Sequence, residues 1–329
     1  WDYASSGGSK KETGCCSLDS INDARLLAVN LGFPHYILDI RNEVGNYVID
    51  NFVDEYLAGR TPNPCVLCNT HIKWEALLKR ADMLDCEFIA TGHYARIRME
   101  NNRYVVSKGL DESKDQSYVL WGLTQESLKR TLFPLQNYRK PQIKEMAVNA
   151  GYADLAAKRE SYEICFVPDN DYRGFLKRKV EGLEQRVDGG SFVDRTGRVL
   201  GKHKGYPFYT IGHRKGLEIA VGEPLHVLEI VPETNTVILG SKVELEQQQM
   251  TVGKYNLIKY EQLPDNYQAL TKIRYKDPGV IASLSHENEK LNILFNSPVN
   301  AVAPGQSAVF YEGDDLIGGG IIERKKIQV

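Results

Sequence analysis

The sequence predicts a chain of two textures, an α/β N-terminal domain built on a parallel sheet and then small central and C-terminal β-barrel domains. Three observations carry that expectation. From about residue 21 to residue 151, stretches with apolar residues at helical spacing alternate with short buried apolar runs. Beyond Arg186, Gly-containing turns separate short β-branched runs instead. With 329 residues, 42% of them hydrophobic, the chain can bury two or three cores of about 100 to 200 residues each.

Taken in order, Ser5-Ser6-Gly7-Gly8-Ser9-Lys10-Lys11-Glu12 is small and polar and reads as a flexible loop. Ala24, Leu27, Ala28 and Leu31 mark an amphipathic helix that Gly32 stops. His35 to Ile40 reads as a short apolar strand, Val44 to Tyr56 as a helix closed by Gly59, and the stretch from Asn69 to about Asp85 as another helix. Cys86 to Ala90 reads as a second buried strand, which places Gly92 and His93 at its carboxyl end, where ligands of parallel sheets sit. A hairpin over Ala95 to Gly109 follows, then a helix with Pro141 near its start and Gly151 after its end. Ser191 to Val193, His226 to Val231 and Thr236 to Leu239 read as strands. Gly318-Gly319-Gly320, with Ile317 and Ile321-Ile322 beside it and no helix after it, reads as a bulged barrel strand rather than a phosphate loop.

No apolar run approaches the roughly 18 residues that span a bilayer, and no signal-peptide pattern is present, so the expectation is a soluble, cytoplasmic protein with no membrane partner. Six irregularly spaced cysteines do not form a disulfide framework and predict reduced thiols. Net charge is −2, yet residues 171 to 216 hold eleven Lys and Arg against five Asp and Glu, a candidate phosphate-backbone surface.

The chain is organised around Thr61-Pro62-Asn63-Pro64-Cys65-Val66-Leu67-Cys68-Asn69. Pro62 and Pro64 hold the approach extended, and the helical pattern that follows puts Cys68 near a helix N-terminus, where the macrodipole favours a thiolate. Spacing alone leaves four readings of this pair open: a reactive thiol, half of a zinc site, a redox couple, or two small buried side chains. A further cysteine, Cys165 in Glu163-Ile164-Cys165-Phe166, raises the first.

Together with Ala90-Thr91-Gly92-His93-Tyr94, Gly109-Leu110-Asp111, Lys114-Asp115-Gln116-Ser117-Tyr118, Gly201-Lys202-His203-Lys204-Gly205, Tyr209 through Leu217, Arg274-Tyr275 and Pro304-Gly305-Gln306-Ser307-Ala308-Val309, these segments form an ordered series. It resembles that of the tRNA-specific 2-thiouridylases, of the PP-loop ATP pyrophosphatase superfamily, over essentially the whole chain. The resemblance implies a PP-loop catalytic domain over 1–165, a central tRNA-binding linker domain over 166–225 and a C-terminal β-barrel over 226–329. It implies an enzyme that spends ATP, with Mg²⁺, to adenylate the C2 oxygen of the wobble uridine of tRNA and then replaces that oxygen with sulfur from a cysteine persulfide. By the family pattern Cys165 carries the persulfide, and Cys68 is the nucleophile that forms a disulfide with it as sulfur is released. Gly92 matches a position in contact with ATP, and Asn63, Pro64 and Cys65 match the segment facing the target base. His93, Lys114, Asp115, Gln116, Arg274, Tyr275 and Gln306 match positions that touch tRNA. The implied partners are tRNA and a cysteine desulfurase or sulfur-relay protein.

Two departures stand out. The family's Ser-Gly-Gly-x-Asp-Ser phosphate loop is not matched by Ser6-Gly7-Gly8, because Lys10 stands where the Asp belongs; the expectation is that the loop belongs upstream of the sequence given, the alternative being a chain that does not bind ATP properly. Cys65 stands where some members carry an acidic residue suited to proton transfer, which leaves it as a spare or alternative sulfur acceptor. Two other uses of the thiols stay open: an iron–sulfur cluster on Cys65, Cys68 and Cys165, or a zinc-stabilised RNA-binding module with Cys15, Cys16, Cys65 and Cys68 as ligands.

Overall fold

The computed structural model describes residues 18–158, 164–167, 169–219, 222 and 224–325. Ser6-Gly7-Gly8, Cys15, Cys16 and Glu163 lie outside them. Helix α1 (Leu18–Leu31) ends where Gly32 adopts φ +75°, as the helical spacing predicts. The expected strand over His35 to Ile40 is not formed: Tyr36 and Ile37 are exposed, and no neighbouring strand supplies hydrogen-bond partners. Apolar content makes a strand only where a second strand satisfies its backbone, and none of the described segments pairs with this one.

The next helical stretch comprises α2 (Arg41–Val44), a π-helical turn Gly45–Ile49 and α3 (Asp50–Leu57). After the proline loop the chain runs through α4 (Pro64–Leu67), a nine-residue π-helical segment Cys68–Ala76 and α5 (Leu77–Met83). Strand β1 is confined to Ile89–Ala90, since Cys86 and Phe88 of the predicted run are exposed. The hairpin consists of β2 (Ala95–Glu100) and β3 (Arg103–Lys108), turned by Asn101 and Asn102 at φ +48° and +60°. After α6 (Gln125–Lys129), β4 (Thr131–Leu132) pairs in parallel with β1, the parallel element that the α/β pattern predicts. Helices α7 (Lys140–Asn149), α8 (Ala153–Ala157), α9 (Tyr172–Lys179) and α10 (Leu183–Val187) follow.

A central four-stranded sheet of β5 (Gly190–Val193), β6 (Val199–His203), β7 (His226–Val231) and β8 (Thr236–Gly240) comes next, in the order β6-β5-β8-β7. Six further strands, β9 (Glu246–Leu257), β10 (Tyr267–Lys272), β11 (Val280–Glu287), β12 (Lys290–Asn300), β13 (Ser307–Glu312) and β14 (Asp315–Ile322), run β13-β10-β11-β12-β9-β14 and close through β13–β14. In β12, buried Leu291, Ile293 and Phe295 alternate with exposed Asn292 and Leu294, the period of two that fills a barrel from one face. The Gly318-Gly319-Gly320 run lies in β14 at a register shift, as the sequence predicts. A Cβ on Gly318 would stand 2.1 Å from the Asn256 carbonyl oxygen, and one on Gly319 2.6 Å from the Trp121 ring, so only glycine lets β14 close on its neighbours.

Strand β3 pairs with β14, so the N-terminal hairpin extends the C-terminal barrel sheet. Arg98 reinforces that joint with a two-pronged ion pair to Asp315, both contacts 2.8 Å. No helix among the described residues is long and apolar enough to cross a membrane.

Candidate active site

The proline loop is built from two directions. Pro64 opens α4 at a position where its missing N–H costs nothing, and Asn63 before it is extended, φ −120° and ψ 80°. From the far end of the chain, the segment Pro304–Ser307 clamps the loop. Thr61 N–H donates to the Pro304 carbonyl at 2.8 Å, while Gln306 Nε2 donates to the carbonyls of Thr61 (3.2 Å) and Pro62 (2.8 Å). Gly305, at φ +90°, leaves no room for a side chain: a Cβ would meet the Thr61 carbonyl oxygen at 2.8 Å. Ser307 is fully buried, and its Oγ accepts from Asn63 Nδ2 (3.3 Å) and Trp121 Nε1 (3.1 Å), while its carbonyl accepts from the Tyr118 hydroxyl (2.8 Å). Asn63 is therefore oriented by the barrel rather than by its own helix.

Cys65, not Cys68, occupies the first turn of α4; Cys68 follows that turn and opens the π-helical segment. The Cys65 thiol reaches the surface but is crowded by protein on its other sides. That desolvation, and then the neighbouring Cys68 sulfur, push its pKa up against an opposing pull from Lys73. Asn69 is buried, with Nδ2 donating to the Val119 carbonyl at 3.2 Å and Oδ1 lacking a partner among the described residues.

Cys68 packs against a hydrophobic cluster that includes Phe52 of α3, Ile72, Phe166, Val167 and Phe175 of α9. The Cys165 turn is attached to the same cluster: Phe166 lies edge-on to Phe52 at 5.1 Å and tilted against Phe175 at 5.4 Å, with Ile164 beside them. One apolar core thus carries both cysteine segments, with Cys165 exposed on its turn.

At the carboxyl end of β1, the space in front of Gly92 is open, with Leu135 3.8 Å from where a Cβ would stand. His93 is 5% exposed among Trp74 and Phe133. Burial, and then Lys73, push its pKa down to about 3, so it is neutral near pH 7. Lys73 Nζ, 3.4 Å from Nε2, can only donate, which leaves the ring proton on Nδ1 to donate to Thr91 Oγ1 at 2.9 Å. His93 is a satisfied interior histidine and offers no charge to a phosphate.

Of the other family-matched positions, Asp115 accepts from the N–H groups of Gly109 (3.0 Å) and Ser117 (3.1 Å) and from Ser117 Oγ (2.9 Å), and thereby shapes its turn. Gln116 Oε1 accepts from Tyr94 N–H at 3.0 Å. The Tyr275 hydroxyl crosses from the barrel to the Asp115 carbonyl at 2.6 Å, and Arg274 Nη2 donates to the Asn300 carbonyl at 3.3 Å. Lys114 is half-buried on the rim of the same turn. The structure therefore joins Lys114, Asp115, Gln116 and Tyr275 at one seam and Asn63, Pro64 and Gln306 at another.

The basic stretch 171–216 is less positive locally than its composition suggests. Lys177, Arg178, Arg195 and Arg198 pair with Glu184, Asp169, Glu244 and Asp194, whereas Lys204, Arg214 and Lys215 are exposed. Among the described residues no three His, Cys, Asp or Glu side chains gather closely enough to hold a metal ion, so Cys65, Cys68 and Cys165 do not form a cluster-ligand set here. Sequence reasoning passed over Ser307 and Trp121. Ser307 sits inside the Pro304–Val309 motif, but its partners are 244 and 186 residues away.

Comparison with known proteins bears on what this arrangement does. A family model described as the tRNA methyl transferase HUP domain matches residues 1–169, one described as the tRNA methyl transferase PRC-barrel domain matches 174–241, and one described as an aminomethyltransferase beta-barrel domain matches 247–322. A tRNA-specific 2-thiouridylase of Cytophaga hutchinsonii is 62% identical over 324 residues, covering 98% of this chain and 88% of the relative. The Salinibacter ruber protein of that name is 56% identical over 98% of this chain and 85% of its own length, and that of Carboxydothermus hydrogenoformans 45% identical over 99% and 89%.

Proposed function

The chain belongs to the tRNA-specific 2-thiouridylase family, and on that premise we propose that it uses ATP to exchange the C2 oxygen of the tRNA wobble uridine for sulfur. The oxygen is a poor leaving group, so it first attacks the α-phosphorus of ATP; the bond to the β-phosphate breaks and pyrophosphate departs. The terminal sulfur of a persulfide on Cys165 then bonds to C2, and the adenylated oxygen leaves with its bonding pair as AMP. Cys68, as thiolate, attacks Cys165 Sγ. The bond to the transferred sulfur breaks with its pair on the 2-thiouridine, and a Cys68–Cys165 disulfide remains for two electrons from a thiol reductant to reopen. A cysteine desulfurase or sulfur-relay protein recharges Cys165, which stands exposed on its turn.

This chain's own residues serve that sequence in distinct ways. The open face of Gly92 admits nucleotide to the strand end. The Asn63–Cys65 segment, held by Gln306 and Ser307, faces the base, and the raised pKa of Cys65 keeps it a neutral thiol there. Mg²⁺ bound with the nucleotide would screen the charge of its phosphates. The observation that carries the reading is the single apolar cluster beneath both Cys68 and the Cys165 turn, because a disulfide-forming exchange needs two sequence-distant thiols on one support.

The test incubates full-length protein with ATP, Mg²⁺, a sulfur source and unmodified tRNA, with 2-thiouridine read by mass spectrometry. Product in wild type and loss in both Cys68→Ser and Cys165→Ser supports the reaction and the thiol pair. Thiolation that survives in both variants removes the persulfide route.

A further inference from the structure

We propose that a cleft between the Asp111–Lys114 turn and the start of α7 is a binding site for the RNA sugar-phosphate backbone, an inference that rests on the tRNA reading above. The cleft has a volume of about 430 Å³ and, among the described residues, is lined by four cations, Lys114, Arg139, Lys140 and Lys144, and by one carboxylate, that of Asp111. That carboxylate is committed to the protein. Its Oδ1 accepts from Ser113 Oγ at 2.6 Å and its Oδ2 from the Lys140 N–H at 2.9 Å, contacts that also hold it below the usual carboxylate pKa. Arg139 N–H is likewise taken, by Gln142 Oε1 at 2.7 Å. The walls are thus preformed, and attraction for an anion comes from side-chain cations rather than from the open end of a helix.

The chemistry of the walls selects among phosphate ligands. A pocket for a free nucleotide closes apolar or aromatic side chains over the base, and among the described lining residues here only Pro141 is apolar, the others ending in polar or charged groups. Arg139 and Lys144 stand exposed at the mouth, which suits a strand passing over the surface. Location agrees. Lys114 adjoins Asp115, whose carbonyl holds Tyr275 of the barrel, and Lys140 Nζ lies 5.7 Å from the centre of the Tyr94 ring, next in sequence to His93. The cleft therefore adjoins Tyr94, two residues beyond Gly92, and the Asp115–Tyr275 seam with the barrel.

The experiment compares wild type with the double variant Arg139→Gln, Lys144→Gln, measuring the Kd for unmodified tRNA as KCl is raised, alongside kcat and the KM for ATP. Loss of two phosphate contacts predicts binding weakened about 10- to 100-fold near 0.1 M salt and a log Kd against log salt slope smaller by about two. The kcat at saturating tRNA and the KM for ATP should hold. The charge-keeping pair Arg139→Lys, Lys144→Arg should restore both affinity and slope, which separates charge from folding. Unchanged Kd and slope in the Gln variant overturns the site. A raised KM for ATP with unchanged tRNA binding reassigns the cleft to nucleotide phosphates and overturns the RNA assignment. Absence of tRNA binding by wild type would instead fell the functional reading beneath it.

Discussion

Around Cys65 and Cys68 the backbone is held by directional bonds: Thr61 to Pro304, Gln306 to two carbonyls, Asn63 to Ser307. Around Cys165 it is held by packing, Phe166 against Phe52 and Phe175 over a common core. Hydrogen bonds fix an angle and fail when a donor is exchanged for an acceptor, whereas apolar contacts fix a volume and tolerate changes of shape. The segment proposed to face the base is thus placed by geometry, and the segment proposed to carry sulfur is placed by bulk.

The largest effects should come where both segments meet in chemistry. Cys68→Ser and Cys165→Ser should each lower 2-thiouridine formation by about 10³-fold or more while thermal unfolding stays close to wild type. Next, shape-conserving swaps should split the two anchors. Gln306→Glu turns donors into acceptors against two carbonyls and should cut kcat by up to about 100-fold, read in single-turnover assays. Phe166→Leu keeps most of the bulk and should change kcat little; equal losses from the two swaps would erase the distinction. Truncation reverses the ranking on stability: Phe166→Ala should cost about 3 to 5 kcal/mol by denaturant unfolding, and Gln306→Ala about 1 to 3 kcal/mol.

The smallest effect concerns pH. His93 is held near pKa 3 in the fold against about 6.5 unfolded, so the unfolded chain takes up the proton first as pH falls. Stability is fully present above pH 6.5 and drops by about 1.4 kcal/mol per unit from 6.5 toward 3. The stability gap between wild type and His93→Gln should therefore narrow by roughly 2 kcal/mol between pH 7 and pH 5. A gap constant over that interval would mean that His93 takes up its proton in the fold as readily as in the unfolded chain.

Local patterns made much of the fold legible. Gly32 and Gly151 end their helices, Asn101-Asn102 turns the hairpin, and the Gly318 run is a bulged strand where β14 closes the barrel. His35 to Ile40 misled because a strand is a property of a pair, and the apolar run says nothing about whether a partner lies alongside. In the site, the cysteine motif and the strand-end Gly92 were visible, since each is a local signature. The interior position of His93 was not, because its burial comes from Trp74 and Phe133, on separate elements. Neither was the clamp: Ser307 looks like any strand-start serine until Trp121 and Asn63 are brought to it.

That clamp also sets a schedule. Asn63 and Ser307 are 244 residues apart, and a ribosome adding about 5 to 20 residues per second leaves the proline loop without its anchor for roughly ten to fifty seconds after it emerges. The helices beneath can form in the meantime from neighbouring sequence, but the wall proposed to face the base cannot take its shape until β13 has been synthesised and docked. A nascent chain therefore carries its proline loop without the barrel's anchor, and this wall of the candidate site is the last to be fixed in the order of translation.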